Sequence, residues 1–160
     1  MPDAPDITTL GAPVSPGMPA LRRLCAIRAD IGPPTEFPTT QGHTRALFPI
    51  IGGQAAGDGW RAEILPGGAD FARLLPDGSY EVEARYLMQL DDGTPVMVLN
   101  AGRMVPQPDG SYQGRTRAVL EVPPGPHAAM GAAVLFGTAL APAGQEGHVY
   151  IELWQGVGPA

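Results

Sequence analysis

Apolar and polar residues alternate most regularly over residues 79–90. Tyr80, Val82, Ala84, Tyr86, Met88 and Leu90 fall on one side, and Glu81, Glu83, Arg85, Leu87 and Gln89 on the other. A period of two marks a strand with one buried face. Trp60, Ala62 and Ile64 set against Arg61 and Glu63 predict another strand over 60–65. Weaker patterns predict strands over 21–31, 45–51, 69–75, 94–105, 112–122, 132–140 and 147–154. In the last of these, Val149, Ile151 and Leu153 share one face, and His148, Tyr150 and Trp154 the other. Gly32-Pro33-Pro34 ends the first strand, because proline cannot continue a ladder, and residues 33–43 read as a loop. Residues 122–130 read as a loop ending in one helical turn. No long stretch combines a helical period with caps.

The turns organise these segments. Gly57-Asp58-Gly59 and Pro66-Gly67-Gly68 each predict a reversal, and Gly52-Gly53 closes the 45–51 strand. Asp77-Gly78, Asp92-Gly93 and Asp109-Gly110 recur at intervals of 15 and 17 residues. Asp-Gly between alternating runs predicts a hairpin with a type I′ turn. Residues 65–102 therefore read as four consecutive strand segments tied by tight turns. The whole chain reads as all-β, with about nine strands wound up and down. A sheet of that length removes its edges by closing into a single antiparallel β-barrel; a two-sheet sandwich is the alternative.

Composition modifies this picture in three places. Gly 22 and Pro 19 of 160 residues match a turn-rich β protein, while 44% hydrophobic residues argue against disorder. Residues 1–19 hold five prolines and no period, so they read as a flexible arm preceding a barrel domain over 20–157. An arm packed on a partner subunit of a homo-oligomer is the alternative. The net charge is −6, and only Arg22-Arg23 are adjacent among ten basic residues. No nucleic-acid or membrane partner is expected from that distribution. One cysteine, Cys25, excludes an internal disulfide framework and reads as a small core residue. No apolar run approaches a membrane span, the N-terminus lacks a signal-peptide pattern, and a cytoplasmic location is the default.

Familiar catalytic motifs are missing: no nucleophile elbow, P-loop, zinc-protease helix or dinucleotide loop is present. Ser15, Ser79 and Ser111 lie in the arm or in turns. His43, His127 and His148 lack ligand spacing, so no metal and no cofactor are expected. Carboxylate and arginine chemistry remains. Asp70 follows a Gly-Gly turn, Glu63 precedes that turn, and Glu83 and Arg85 share one side of their strand. A desolvated carboxylate among them could move protons near neutral pH, and an arginine could steady an oxyanion. The competing reading is that Glu81, Glu83, Arg85 and Gln89 form the solvated outside of the barrel. Tyr86 and Asn100 are polar groups in otherwise apolar strands, suited to structural hydrogen bonds or to a ligand.

Several motifs carry a family resemblance. They are Arg28-Ala29-Asp30-Ile31-Gly32-Pro33-Pro34, Pro49-Ile50-Ile51-Gly52-Gly53, LPGGADF (65–71), DGSYEVEARY (77–86) and DDGTPVMVLNAG (91–102). In this order and spacing the chain resembles the DUF3237 family, also called the UPF0311 proteins, over about residues 21–154. The resemblance implies a calycin-like (lipocalin-like) barrel with a cavity for a hydrophobic small molecule. Some members act in natural-product pathways as cofactor-free cyclases. The implied activity here is acid/base-catalysed cyclisation, isomerisation or addition–elimination on a polycyclic or aromatic substrate; a non-catalytic carrier or sensor is the alternative. By motif match the resemblance singles out Asp70, Glu83, Arg85, Tyr86 and Asn100. The preferred roles are Asp70 or Glu83 as acid/base, Arg85 and Tyr86 as orienting or oxyanion-stabilising groups, and Asn100, Glu63, Ala129 and Trp154 as further substrate-binding positions. One departure stands out. Where many members carry a Trp and an Asn before the penultimate strand, this chain has Ala129 and Gly131. If that run lines the cavity, a bulkier ligand is expected.

Overall fold

The computed structural model describes residues 6–158. Ten strands make one sheet: β1 (Ala20–Ile31), β2 (Thr35–Pro38), β3 (Thr44–Gly57), β4 (Trp60–Ile64), β5 (Gly68–Leu74), β6 (Tyr80–Leu90), β7 (Pro95–Pro106), β8 (Tyr112–Glu121), β9 (Leu135–Ala141) and β10 (His148–Val157). Every pairing is antiparallel, and β1 pairs with both β10 and β3, which closes the ring. The result is the expected barrel: eight positions around the ring, with β2 and β4 as two extra strands. Among the described residues, two short 3-10 turns, Ile7–Leu10 and Ala128–Ala132, are the only helical elements outside the strands. No described helix is long and apolar enough to cross a membrane. Residues 6–19 are exposed apart from Ala12. The remainder of the arm expected from sequence, residues 1–5, lies outside the described residues.

Three local expectations differ from what is observed. First, β3 runs through Gly52-Gly53 instead of ending there. It needs its length because it serves two strands along each edge. Its first half pairs with β5 (Thr44–Leu74 to Ile50–Gly68) and its second half with β4 (Gln54–Glu63 to Gly57–Trp60). Since β4 and β5 are both antiparallel to β3, they run in the same direction. Pro66-Gly67-Gly68 therefore kinks one interrupted strand and does not reverse the chain. The Leu65 N–H donates to the Leu87 carbonyl (2.9 Å) across this break. On the opposite edge, β1 and β2 share β3 in the same way, and β2 occupies part of the segment expected to be a loop. Gly53 sits at the bend with φ +134, and a Cβ there would collide with the Arg28 carbonyl oxygen, so only glycine fits.

Second, the three Asp-Gly hairpins form, but not as type I′ turns. No residue other than glycine has positive φ among the described residues. In each hairpin a type I turn ends in a left-handed glycine: Gly78, Gly93 and Gly110 donate to Leu75, Leu90 and Gln107 (3.0, 2.8 and 3.0 Å). This is the three-residue hairpin loop with a glycine bulge. The preceding Asp77, Asp92 and Asp109 carboxylates accept from the N–H of Ser79, Thr94 and Ser111 (3.0, 2.9 and 2.9 Å). Asp therefore serves the turn by its side-chain hydrogen bond, with αR-compatible φ.

Third, β9 begins at Leu135, because the 3-10 turn at Ala128–Ala132 occupies the start of the segment expected to be a strand.

The alternation in β6 places Tyr80, Val82, Ala84, Tyr86, Met88 and Leu90 inside. The interior divides into two halves. Around the β6 C-terminus it is solid: Met88, Leu90, Val96, Val98, Leu120, Leu135 and Leu153 are buried, and Trp60 and Met130 pack with them. Towards the β6 N-terminus it is hollow.

Candidate active site inside the barrel

The hollow half encloses a cavity of about 250 Å³. Its wall is mostly apolar, with Ala29, Ile50, Val82, Ala84, Ala139 and Ile151 contributing from five strands. Polar side chains interrupt it: Asp70 from β5, Tyr86 from β6, Asn100 from β7 and Thr116 from β8, besides the two tyrosines Tyr80 and Tyr112. Asp70 is opposite Ala84, which in turn is opposite Asn100. Cross-strand register thus brings residues 16 and 30 positions apart to one belt of the wall. The rings of Phe48, Tyr80 and Tyr112 flank this space, with centroids 5.8 and 5.6 Å apart between successive rings. Tyr80 donates its hydroxyl to Glu36 of β2 (3.2 Å), so the extra strand β2 reaches across to the barrel.

Asp70 is half-buried, and burial pushes its carboxyl up to about 6. The Glu83 N–H, which donates to Asp70 Oδ1 at 2.9 Å, pulls the other way, and the Glu83 carboxylate adds a smaller upward push. The β5–β6 ladder is interrupted at this point, between the Asp70–Ala84 and Arg73–Glu81 pairs. The Asp70 side chain takes an N–H that no ladder pair is using. A carboxyl near 6 in an apolar pocket has the affinity for a proton that general acid/base work at neutral pH requires.

Three other cavity atoms, Tyr86 Oη, Asn100 Oδ1 and Thr116 Oγ1, are buried and have no hydrogen-bond partner among the described residues. Buried polar groups are nearly always paired, and an unpaired one costs about 1–3 kcal/mol. Their convergence on one cavity marks it as a place where a polar group of another molecule is accommodated. Thr116 lies between Gly102 and Gly137 in register, and a Cβ at either glycine would strike it. Gly137 thus keeps space for the hydroxyl, and Gly102 for the backbone and methyl of Thr116. Thr116 was not among the candidates from sequence. Its parity with Tyr112, Ala118 and Leu120 in β8 is the signal that places it inside.

The other candidates lie elsewhere. Glu83 and Arg85 are on the exposed outer face of β6, where Arg85 Nη2 and Nε donate to Glu83 Oε1 (2.6 and 3.1 Å). The pleat forces this: with Tyr86 and Ala84 inside, residues 83 and 85 must point out. Glu83 reaches the cavity only through its backbone N–H and its field. Glu63 is exposed on the outer wall beside Gln54 and Gln89. Trp154 is on the outer face of β10, opposite Arg23 and Phe136. Ala129 is exposed in the 3-10 turn at the solid end, remote from the cavity lining, so the small residue there does not enlarge the cavity or make room for a bulkier ligand. Cys25 is buried and its thiol is pushed up to about 12 by burial, consistent with a core role. Among the described residues no group of three or more potential ligands could hold a metal ion.

A family model described as "Protein of unknown function (DUF3237)" matches residues 19–155. The chain belongs to the DUF3237 family. A UPF0311 protein of Clostridium acetobutylicum is 44% identical over 63 residues, which cover 39% of this chain and 40% of that one. A UPF0311 protein of Rhodopseudomonas palustris is 41% identical over 76 residues, covering 48% and 50%. The aligned stretch thus spans half or less of these relatives' length. Among solved structures, a conserved protein of unknown function from Rhodopseudomonas palustris superposes with a TM-score of 0.79 at 26% identity, over 88% of this chain and 99% of that one. A β-barrel-like protein from Acinetobacter baumannii gives 0.80 at 21% identity, over 89% and 99%. An enzyme from Penicillium herquei gives 0.68 at 19% identity, over 91% and 100%. At that identity the likeness to the enzyme concerns the fold. DUF3237 membership accounts for the barrel, and the chemistry rests on the residues of the cavity.

Proposed function

We propose that the hollow half of the barrel binds an apolar small molecule bearing hydroxyl or carbonyl groups, and that Asp70 moves a proton on it. The reaction class is cofactor-independent cyclisation, isomerisation or addition–elimination. The observation that carries this reading is the pairing of a carboxyl near 6 with three unpartnered polar atoms in one apolar cavity. Asp70, ionised at neutral pH, accepts a proton from an O–H, or from a C–H next to a carbonyl. The Tyr86 and Thr116 hydroxyls and the Asn100 amide are the groups available to donate to the oxyanion that develops. Asp70 then returns the proton at a second atom. Glu83 and Arg85 take no direct part. Ligand cavities for drug-sized molecules are about 300–1,000 Å³. A space of about 250 Å³ therefore suits a one- or two-ring substrate.

The test is proton exchange at the carbon beside the ketone of 2-tetralone, a two-ring ketone, followed by NMR in deuterated buffer. The protein is expected to accelerate exchange above the buffer rate. Asp70→Asn should abolish that acceleration while calorimetry still detects tetralone. Binding without any acceleration by the unaltered protein would favour a non-catalytic carrier or sensor. Absence of binding, or binding that Ala139→Phe leaves unchanged, would remove the cavity as the ligand site.

A further inference from the structure

Ten arginines supply all the basic residues of this chain, and along the sequence they form no run. The sheet gathers them. Across the outer wall, Arg45 of β3 is opposite Arg73 of β5, Arg73 is opposite Glu81 of β6, Glu81 is opposite Arg103 of β7, and Arg103 is opposite Arg115 of β8. Arg117 follows two residues on, on the same face. Together they line an open groove of about 630 Å³ with Glu81, Glu83 and Phe71. Five arginines against two glutamates give the groove a formal charge of +3, which leaves −9 on the remainder of a chain whose total is −6.

Like charges directly opposite on a sheet are destabilising, and this row has two such contacts, Arg45–Arg73 and Arg103–Arg115. Internal partners neutralise only part of it. Arg73 is paired with Glu81, and Arg103 with Asp77 and the Ser79 hydroxyl. Arg45 donates only to the Phe71 carbonyl (3.5 Å) and Arg115 only to the Gly114 carbonyl (3.1 Å); Arg117 has no ion pair or hydrogen bond among the described residues. Exposed aromatics adjoin two of them: Phe71 beside Arg45 in the groove and Phe136 opposite Arg117, each 50% exposed. Arginine beside exposed aromatic side chains is enriched at protein-interface centres.

We infer that this groove is a docking surface for an acidic polypeptide, whose carboxylates pair with Arg45, Arg115 and Arg117 and whose apolar side chain covers Phe71. Arginine forks match carboxylates two bonds at a time. Glu81 and Glu83 inside the groove, and the −9 on the rest of the molecule, oppose a long uniform polyanion such as nucleic acid. The surface lies on the opposite side of the barrel wall from the cavity, so it does not depend on the chemistry proposed there.

The experiment uses fluorescence anisotropy of a short fluorescein-labelled glutamate-rich peptide containing two phenylalanines, at low salt, with labelled oligo(dT) as a second probe. The peptide should bind, and the double charge reversal Arg115→Glu/Arg117→Glu should weaken it by about tenfold or more. Arg22→Glu/Arg23→Glu changes the net charge equally on β1, three strands away from β8 and outside the groove, and should leave the affinity within about twofold. Both variants alter exposed residues, and their melting curves report that they fold; Arg117→Ala, with an intermediate loss, is the fallback. The inference is overturned by equal losses in the two double variants, by no peptide binding at millimolar protein, or by oligo(dT) binding more tightly than the peptide.

Discussion

Replacing Asp70 by Asn should stabilise the protein while removing its proton-transfer group. The Asp70 carboxyl stands at about 6 in the folded chain against an ordinary value of 3.8. A group raised by folding binds more protons in the native than in the unfolded state between those values. Stability therefore falls as pH rises from about 3.8 to 6 and stays lowered above. At about 1.36 kcal/mol per pKa unit, the ionised carboxylate costs about 3 kcal/mol at pH 7.5 and about 0.5 kcal/mol at pH 4. Asn carries no charge to desolvate, and its Oδ1 can keep the bond from the Glu83 N–H. For a chain of this size each kcal/mol shifts the melting temperature by about 2–4 °C. Asp70→Asn should then melt about 6–12 °C above the unaltered protein at pH 7.5 and within about 2 °C of it at pH 4. Scanning calorimetry at several pH values measures the difference directly. A variant that melts at or below the parent at pH 7.5, or a difference that does not change with pH, would refute the claim that burial strains this carboxylate. A gain in stability with a loss of exchange activity is the expected mark of a functional residue held at a cost to the fold.

Two further outcomes follow from other parts of the structure. Tyr86→Phe removes a buried hydroxyl without a partner, so it should leave stability unchanged or raise it by about 1–3 kcal/mol, while weakening a hydroxylated or carbonyl ligand in calorimetry; a clear loss of stability would mean that the hydroxyl has a partner. Hydrogen bonds from Ser79, Thr94 and Ser111 hold the carboxyls of Asp77, Asp92 and Asp109 below their ordinary values. Their contribution is present above about pH 3.8, the unfolded value, and is lost as pH falls through the folded values. Replacing all three by Asn should flatten the acid limb of a melting-temperature profile, and an unchanged limb would count against these turn bonds.

The sequence determined what a strand can express by itself. The period of two in 79–90 separated the two faces of β6 without deciding which one lines the cavity, and the Asp-Gly pairs located three hairpins, because pleat and turn chemistry are set within a few residues. Tyr86 and Asn100 stand out for the same reason, as polar residues within apolar strands, whereas Asp70 stands out by its place after the Gly-Gly turn and by the family motif. Tertiary structure decided whatever depends on which strand lies beside which. Pro66-Gly67-Gly68 reads locally as a reversal, yet β4 and β5 run in one direction because both take their pairing from the long strand β3. Glu83 and Arg85 share the motif with Tyr86 but fall outside it, since the pleat that turns Tyr86 inward turns its neighbours outward. Ala129 could be placed only once closure of the ring put the 3-10 turn at the solid end of the barrel. The arginine groove was invisible in a chain with one Arg-Arg pair, for residues 45, 73, 103 and 115 become neighbours only through the register of four successive ladders. Alternation is a property of one strand, whereas cavity, charge row and ring closure belong to contacts between residues far apart in the chain.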